Sequence, residues 1–322
     1  MTSTIRRGCF LDTGTLGSDI DWTPLAGTLD HWRWHHHTHA SDTAARIADA
    51  SVIVTNKVVL DTDLLAAATQ LELVCIAATG TDNVDLDAAA VRGIAVTNVR
   101  DYATPAVAQH VFALILAQAT RWHDYAAGVR RGDWSRSPFF CRLDHPIEEL
   151  AGATLGIIGY GTLGRRVAQL ARCFDMRVLV AERAAADTVR PGRSPLAQVL
   201  AQADYLSLHC PLTDATHHLI DADALAAMQP SACLINTARG PIVDETALAA
   251  ALRSGAIAGA ALDVLSVEPP PADHPLLAAD IPNLTLTPHC AWASRAARQR
   301  MLNAIASNIE AFLAGQAQNR VD

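Results

Sequence analysis

One six-residue turn, Gly159-Tyr160-Gly161-Thr162-Leu163-Gly164, constrains this chain more than any other feature, because of what stands on either side of it. Thr154-Leu155-Gly156-Ile157-Ile158 reads as a short buried strand running into the turn. Val167, Leu170, Ala171 and Phe174 then recur at helical spacing, and Arg177 to Ala181 forms a second strand that ends at Glu182. An isolated GxGxxG says little, but strand, glycine turn, helix, strand and terminal acid in this order describe a dinucleotide-binding βαβ unit. Gly159 permits the tight turn, Gly161 lets the main chain approach a pyrophosphate, and Gly164 lets helix and strand pack closely. The free N–H groups at the helix start add the positive end of the helix dipole. Glu182, 23 residues after Gly159, is spaced to accept hydrogen bonds from an adenosine ribose. Its charge would repel a 2′-phosphate, which favours NAD over NADP. Arg183 and Arg190 could meet such a phosphate, although solvated loop charges are the simpler reading of both.

At 322 residues the chain has room for two domains. Half of it is hydrophobic and 18% is charged, as in an ordinary folded, water-soluble protein. A formal net charge of -8 argues against nucleic acid or an anionic membrane as partner. Arg6-Arg7 precede an apolar run, Cys9-Phe10-Leu11, too short for export, and the stretch Val107 to Leu116 is far shorter than a membrane span. A cytoplasmic location follows as the expectation. The seven cysteines have no CxxC spacing and mostly sit in apolar runs, which predicts buried, reduced thiols.

Strand-like and helix-like segments alternate along residues 1–99. Strands are expected at Gly8–Leu11, Ser51–Thr55, Leu73–Ala77 and Ala95–Asn98, with another near Trp32–His36; helices are expected at Thr43–Ala50 and Asp63–Thr69. Thr104-Pro105, read as N-cap and first helical residue, opens a long helix to about Trp122, followed by a polar, aromatic loop through Arg142. Beyond the glycine turn, strands are expected at Tyr205–His209, Ala232–Asn236, Gly259–Asp263 and Leu284–Thr287. Helices are expected at Ala222–Met228, from Asp244 to Ser254 before Gly255, and from Arg295 to about Leu313. The last helix is assigned back to the first domain. The expected fold is therefore α/β, with two doubly wound parallel-sheet domains: a Rossmann domain over 100–289 and a discontinuous flavodoxin-like domain from 1–99 and 290–322.

Polar or proline-containing text follows each strand of the second domain, at the carboxyl edge where open parallel sheets bind ligands. Reduction of a 2-oxo acid by hydride needs a cation for the carboxylate, an acid for the carbonyl oxygen and a group to tune that acid. Arg239 is the best cation, since a guanidinium pairs bidentately with a carboxylate. His289 is the best acid, since imidazole exchanges protons near neutrality. Glu268 in Val267-Glu268-Pro269 can bond the far ring nitrogen and favour the imidazolium. Asp263 closes a strand on the nicotinamide side.

Several segments together resemble the D-isomer-specific 2-hydroxyacid dehydrogenases, over nearly the whole chain and in the same order. They are Asn98-Val99-Arg100-Asp101-Tyr102 to Val107-Ala108-Gln109-His110, the Gly156–Gly164 turn, His209-Cys210-Pro211-Leu212-Thr213, Asn236–Gly240, Val267-Glu268-Pro269 and Thr287-Pro288-His289. The resemblance implies Arg239, Glu268 and His289 as the active-site residues. It also implies NAD contacts at Thr104, Gly159, Gly161, Thr162, Leu163, Gly164, Glu182, Thr213, Thr237 and Asp263. Thr79-Gly80 matches the family's loop whose backbone N–H groups hold the substrate carboxylate. The long Thr104 helix and its loop resemble the dimer-forming region, implying a homodimer. Ala78-Thr79-Gly80-Thr81, Phe140-Cys141 and His289-Cys290-Ala291-Trp292-Ala293-Ser294 look most like the glycerate dehydrogenases, or hydroxypyruvate reductases. The chain departs from the pattern at Glu182, where aspartate is commoner, at Asp82 in place of asparagine and at Cys290 in place of a small aliphatic residue.

The implied activity is NAD-dependent interconversion of a small 2-oxo acid and its D-2-hydroxy acid, hydroxypyruvate/D-glycerate or glyoxylate/glycolate, with His289 as proton donor. Two alternatives stay open: a catalytically silent, corepressor-like NAD(H) sensor and an NADP-preferring 2-ketoacid reductase. The run His31, His35, His36, His37 and His39 is read as strand and packing text rather than a metal site, because zinc ligands converge from separate turns or elements. No metal is expected.

Overall fold

The structure, a computed structural model, describes residues 6–184, 186, 188–316 and 318–321. The chain forms two compact units, residues 1–103 with 292–322 and residues 104–291.

In the first unit β1 (Arg7–Phe10), α1 (Thr23–Ala26), β2 (His31–Trp34), α2 (Ala40–Ile47), β3 (Val52–Thr55), α3 (Thr62–Ala67), β4 (Leu73–Ile76), α4 (Leu86–Val91) and β5 (Ala95–Thr97) follow one another. The five strands are all parallel in the order β2-β1-β3-β4-β5, the doubly wound order of flavodoxin-like folds. Strand periodicity sorts the side chains into two cores. Phe10, Val52, Val54, Leu73 and Cys75 face one layer, and Cys9, Leu11, Ile53, Val74 and Ile76 face the other. The C-terminal helix Arg295–Leu313 returns to the first of these layers, burying Met301, Leu302, Ile305 and Ile309. That spacing is one face of a helix.

The second unit runs α5 (Thr104–Thr120), α6 (Trp122–Arg130), β6 (Thr154–Ile158), α7 (Thr162–Cys173), β7 (Arg177–Val180), α8 (Leu196–Gln202), β8 (Tyr205–Leu208), α9 (Ala222–Ala226), β9 (Cys233–Asn236), α10 (Glu245–Ser254), β10 (Gly259–Leu262) and β11 (Leu284–Leu286). Its six strands are parallel in the order β11-β10-β9-β8-β6-β7. The strand order reverses between β6 and β8, so the glycine turn after β6 stands at the switch point. Both faces of the middle strands are covered, which is why they read as unbroken apolar runs.

Three expectations change. Thr104 is the first residue of α5 rather than its cap. The helix α6 occupies text read as part of one long helix and a loop. Arg121 stands between the two helices at φ 51°, and arginine carries no turn signature that would reveal a left-handed break. Burial of the cysteines is also incomplete. All seven are free thiols, but Cys141 and Cys210 are half-buried and Cys173 and Cys290 are exposed. The edge strand β2 carries the tryptophans as packing groups: Trp32 stacks on Trp34 at 4.9 Å, and Trp34 meets Trp22 edge-on at 5.5 Å. His31 lies in that strand, while His35, His36, His37 and His39 follow it. Among the described residues no helix is long and apolar enough to cross a membrane.

The C-terminal helix is expected to be integral to the first unit's core. Ile305→Ala, at a fully buried site, should lower unfolding free energy by about 3 kcal/mol. Urea denaturation checks this; a loss within error of zero would remove the helix from that core.

Candidate active site

Parallel strands carry all their carboxyl ends to one edge of the second sheet. Along it stand, in order, His289 after β11, Asp263 after β10, Arg239 after β9, His209 after β8, Gly159 after β6 and Glu182 after β7. At roughly 4.8 Å between neighbouring strands, Arg239 and His289 leave the sheet about 10 Å apart in strand spacing.

The glycine turn is built by close approach. Gly159 has φ +92°, and a Cβ there would lie 2.4 Å from the backbone nitrogen of Cys210. A Cβ on Gly164 would lie 2.1 Å from the Gly159 carbonyl oxygen, so helix α7 can seat on the turn only with glycine at that position. Gly161 precedes the first turn of α7 and brings no side chain to cap it. A Cβ on Gly161 would meet nothing within 4 Å, leaving room above the N–H groups of Thr162, Leu163 and Gly164.

Glu182 is where the sequence placed it, and its carboxylate is engaged by its own loop. Oε1 accepts from Arg183 N at 2.8 Å and from Arg190 Nη2, and Oε2 accepts from Arg190 Nε at 2.7 Å and Arg190 N at 3.1 Å. The Arg190 guanidinium, helped by the Arg183 N–H, holds this carboxyl far below the usual carboxylate range. Arg190 is thus no solvated loop charge. A carboxylate has about four acceptor positions, so ribose hydroxyls reach Glu182 only if Arg190 gives way.

Toward the other end of the edge, one buried carboxylate shapes the turn after β11. Asp263, 1% exposed, accepts from Thr287 Oγ1 at 2.5 Å, Cys290 N at 2.9 Å and Ala291 N at 2.8 Å. The His289 N–H donates to the Asp263 carbonyl at 2.8 Å and to the Thr287 carbonyl at 3.0 Å. These bonds hold His289 at φ 49°, a left-handed conformation that few non-glycine residues adopt. From this backbone the ring turns Nδ1 to Glu268 Oε2 at 2.6 Å, while Glu268 Oε1 accepts from Leu265 N at 2.9 Å. The imidazole–carboxylate pair expected from the sequence is therefore formed. Asp263 lies behind it with its carboxylate turned into the 287–291 backbone.

Arg239 follows β9, with Nη1 donating to the Ala238 carbonyl at 2.8 Å. Thr237 Oγ1 beside it is buried and, like His209 Nδ1, lacks a hydrogen-bond partner within the described chain. Thr213 sits in its own turn, its N–H donating to Thr216 Oγ1 at 2.8 Å. Thr104 opens α5. In the first unit Thr79 follows β4 directly before Gly80; its Oγ1 donates to the Val99 carbonyl at 2.8 Å, and its carbonyl accepts from Asn98 Nδ2 at 2.7 Å.

One cluster went unread in the sequence. His110 Nε2 of α5 lies 3.1 Å from Thr287 Oγ1 and 3.7 Å from Asp263 Oδ1, and with Cys290 these donor atoms fall within 4.8 Å of one another. Burial and the Asp263 charge push the Cys290 thiol up. His110 stood inside a quoted motif, but only folding brings it to Asp263. A cavity of about 520 Å³ lined by Tyr125, Trp134, Phe140 and Arg142 contains none of these site residues.

Residues 112–291 match the sequence pattern described as the D-isomer specific 2-hydroxyacid dehydrogenase, NAD binding domain. The chain belongs to the D-isomer-specific 2-hydroxyacid dehydrogenase family. It is 46% identical to a glycerate dehydrogenase of Methylorubrum extorquens, covering 86% of this chain and 87% of that one. It is 33% identical to a hydroxypyruvate reductase of Blautia hydrogenotrophica, covering 94% and 95%. Among solved structures, an NADPH-dependent glyoxylate/hydroxypyruvate reductase from Sinorhizobium meliloti superposes with TM-score 0.82 at 30% identity, covering 99% of this chain and 97% of that one.

This dehydrogenase is accordingly an oxidoreductase of the 2-oxo/2-hydroxy acid class with a nicotinamide cofactor. The second unit's residues fit such a cofactor: open space above the α7 N-terminus for a diphosphate, and the unpartnered Thr237 Oγ1 further along the same edge.

His209 gives the dehydrogenase a pH signature. Desolvation lowers its pKa from 6.5 to about 4, with Nε2 bonded to Ser207 Oγ at 2.9 Å. The folded protein keeps this ring neutral while the unfolded chain protonates it below 6.5, so stability present above 6.5 is lost as pH falls toward 4. Because the residue is only half-buried overall, the loss is put at about 2 kcal/mol. His209→Gln should flatten the unfolding free energy over that window; a slope equal to wild type would assign the effect elsewhere.

Proposed function

We propose that the enzyme interconverts a small 2-oxo acid and its D-2-hydroxy acid with NAD, hydroxypyruvate/D-glycerate or glyoxylate/glycolate being the pair, and with His289 as proton donor. The observation that carries this is the His289 Nδ1–Glu268 Oε2 contact at 2.6 Å, on the sheet edge that also bears the glycine turn and Arg239. The hydride for the carbonyl carbon would come from a reduced nicotinamide held by the residues of that edge. Arg239 orients the substrate through its carboxylate and draws electron density from the neighbouring carbonyl. His289 gives the carbonyl oxygen a proton from Nε2, the ring nitrogen opposite the Glu268 contact, and takes it back in the oxidation. Glu268 fixes the ring through its contact with Nδ1. Main-chain N–H groups of Thr79 and Gly80 are assigned to the substrate carboxylate. Thr104, Thr162, Leu163, Thr213, Thr237, Glu182 and Asp263 are assigned to the cofactor.

A homodimer is part of the proposal. It is supported by the apolar side chains that α6 and the following segment expose, among them Trp122, Trp134, Phe139, Phe140, Leu143 and Ile147. A cytoplasmic setting accords with seven unpaired thiols.

The test is NADH oxidation with hydroxypyruvate, glyoxylate and pyruvate. Tight NADH binding without turnover on any of them would favour the NAD(H)-sensing alternative. Arg239→Ala should lower kcat/KM for the 2-oxo acid by about 100-fold or more, roughly 3 kcal/mol of transition-state binding. A purified variant with near-native kcat/KM would remove Arg239 from the site.

A second reading on the cofactor is favoured by Arg190, whose half-exposed guanidinium covers the Glu182 carboxylate. We propose that Arg190 lets the enzyme accept NADPH as well, by meeting a 2′-phosphate that Glu182 alone would repel. Arg190→Ala should raise the NADH-over-NADPH ratio of kcat/KM about tenfold. An unchanged ratio would end this second reading.

A further inference from the structure

Glu268 has to be held to a fraction of an ångström, yet it rides on an exposed stretch. Residues 266–269 and 271–273 are all exposed, while Leu265 packs on the core below and Leu276 is buried in it. Apolar burial therefore fixes the two ends of this excursion and nothing of its middle.

A polar anchor takes up the difference. Glu245 is the first residue of α10, whose N-terminus is already capped by Asp244 Oδ1 accepting from Thr246 N and Ala247 N. Its carboxylate reaches the excursion instead. Oε1 accepts from Ser266 N at 2.7 Å, and Oε2 accepts from Ser266 Oγ at 2.5 Å and from His274 Nε2 at 3.0 Å. Because the Leu276 N–H donates to His274 Nδ1 at 3.2 Å, Nε2 is the nitrogen that carries hydrogen and donates to Glu245. Both Glu245 and His274 are buried, so the carboxylate and its ring partner meet in a low-dielectric setting, while Ser266 donates to the carboxylate from the exposed excursion. The dipole of α10 adds to this, since a negative charge at a helix start is favoured. One carboxylate thus ties down the chain two residues before Glu268 and six residues after it.

A second constraint links this excursion to Arg239. A Cβ on Gly240 would lie 2.0 Å from the carbonyl carbon of Leu265 and 2.3 Å from Ser266 N. The segment bearing Glu268 therefore lies directly on the backbone that follows Arg239.

We propose that Glu245, acting through Ser266 and His274, is the positioning residue that holds Glu268 against His289. This rests on the reading of His289 and Glu268 as the proton-donating pair. Glu245 touches neither substrate nor cofactor in this role. Arg239, Asp263, Cys290 and His110 are further ionisable groups at this end of the sheet, and the last three cluster within 4.8 Å of one another. Glu268 is the carboxylate bonded to the His289 ring itself. Loosening Glu268 withdraws a negative charge from beside the imidazole, so reduction, which consumes a proton, should fail at lower pH.

The experiment measures NADH-dependent hydroxypyruvate reduction across pH for wild type, Glu268→Gln, Glu245→Gln, His274→Gln and the Glu245→Gln/Glu268→Gln double variant, each with its circular dichroism and melting temperature. The expected result is a kcat lowered about tenfold in Glu245→Gln, with KM for NADH unchanged and the alkaline limb moved to lower pH, as in Glu268→Gln. The double variant should fall no further than Glu268→Gln alone, because both changes act through one contact. His274→Gln should shift the limb the same way, and it decides the matter if Glu245→Gln does not fold. Wild-type kcat and pH profile in Glu245→Gln, or effects that multiply with those of Glu268→Gln, would overturn the proposal while Glu268→Gln still shifts the limb. A Glu268→Gln profile identical to wild type would overturn the dyad itself, and this proposal with it.

Discussion

The site depends on one buried carboxylate. Asp263 is shut off from solvent and receives a hydroxyl and two main-chain N–H groups from the segment 287–291. A buried charge is tolerated only with such partners, and the partners are in turn constrained to wrap around it. His289 is carried into a left-handed backbone conformation as a consequence, and its ring emerges toward Glu268. The residue that dictates this geometry is itself turned away from it. Replacing Asp263 would release this turn.

The second requirement is directional. In an all-parallel sheet every strand ends on the same edge, so residues far apart in sequence collect there with no further instruction. Gly159 lets the turn pass against the His209–Cys210 backbone and Gly164 lets α7 seat on the turn, because neither carries a Cβ. The excursion carrying Glu268 is the exception, since it follows β10 and then leaves the sheet. Its position is bought by polar contacts to α10 and by backbone contact over Gly240, rather than by strand pairing.

Much of the fold was legible because its signals are local. The glycine turn, the unbroken apolar strands and the Asp244 and Gly255 ends of α10 each carry their physical reason within a few residues. The placing of Arg239 and His289 on the sheet's carboxyl edge was legible because each directly follows a recognisable strand. What escaped notice lacked such a signal. Arg121 breaks the chain after α5 without glycine or asparagine, and α6 lies beyond the point where the helical reading stopped. Glu245 is an ordinary acidic residue in a first helical turn and His274 is one histidine among 13, so neither carries a local signal.

By itself, the sequence determined the periodicities, the turn chemistry and the types of group available at each strand end, because these depend on side-chain shape and on spacing along the chain. Which groups meet was a matter for tertiary structure alone. Arg190 covers Glu182 across 8 residues, His274 reaches Glu245 across 29, and His110 reaches Thr287 across 177. Hydrogen bonds of this kind are set by distances between packed elements. No local pattern encodes such distances, so the hands that hold the dyad could be seen only once the strands and helices were in place.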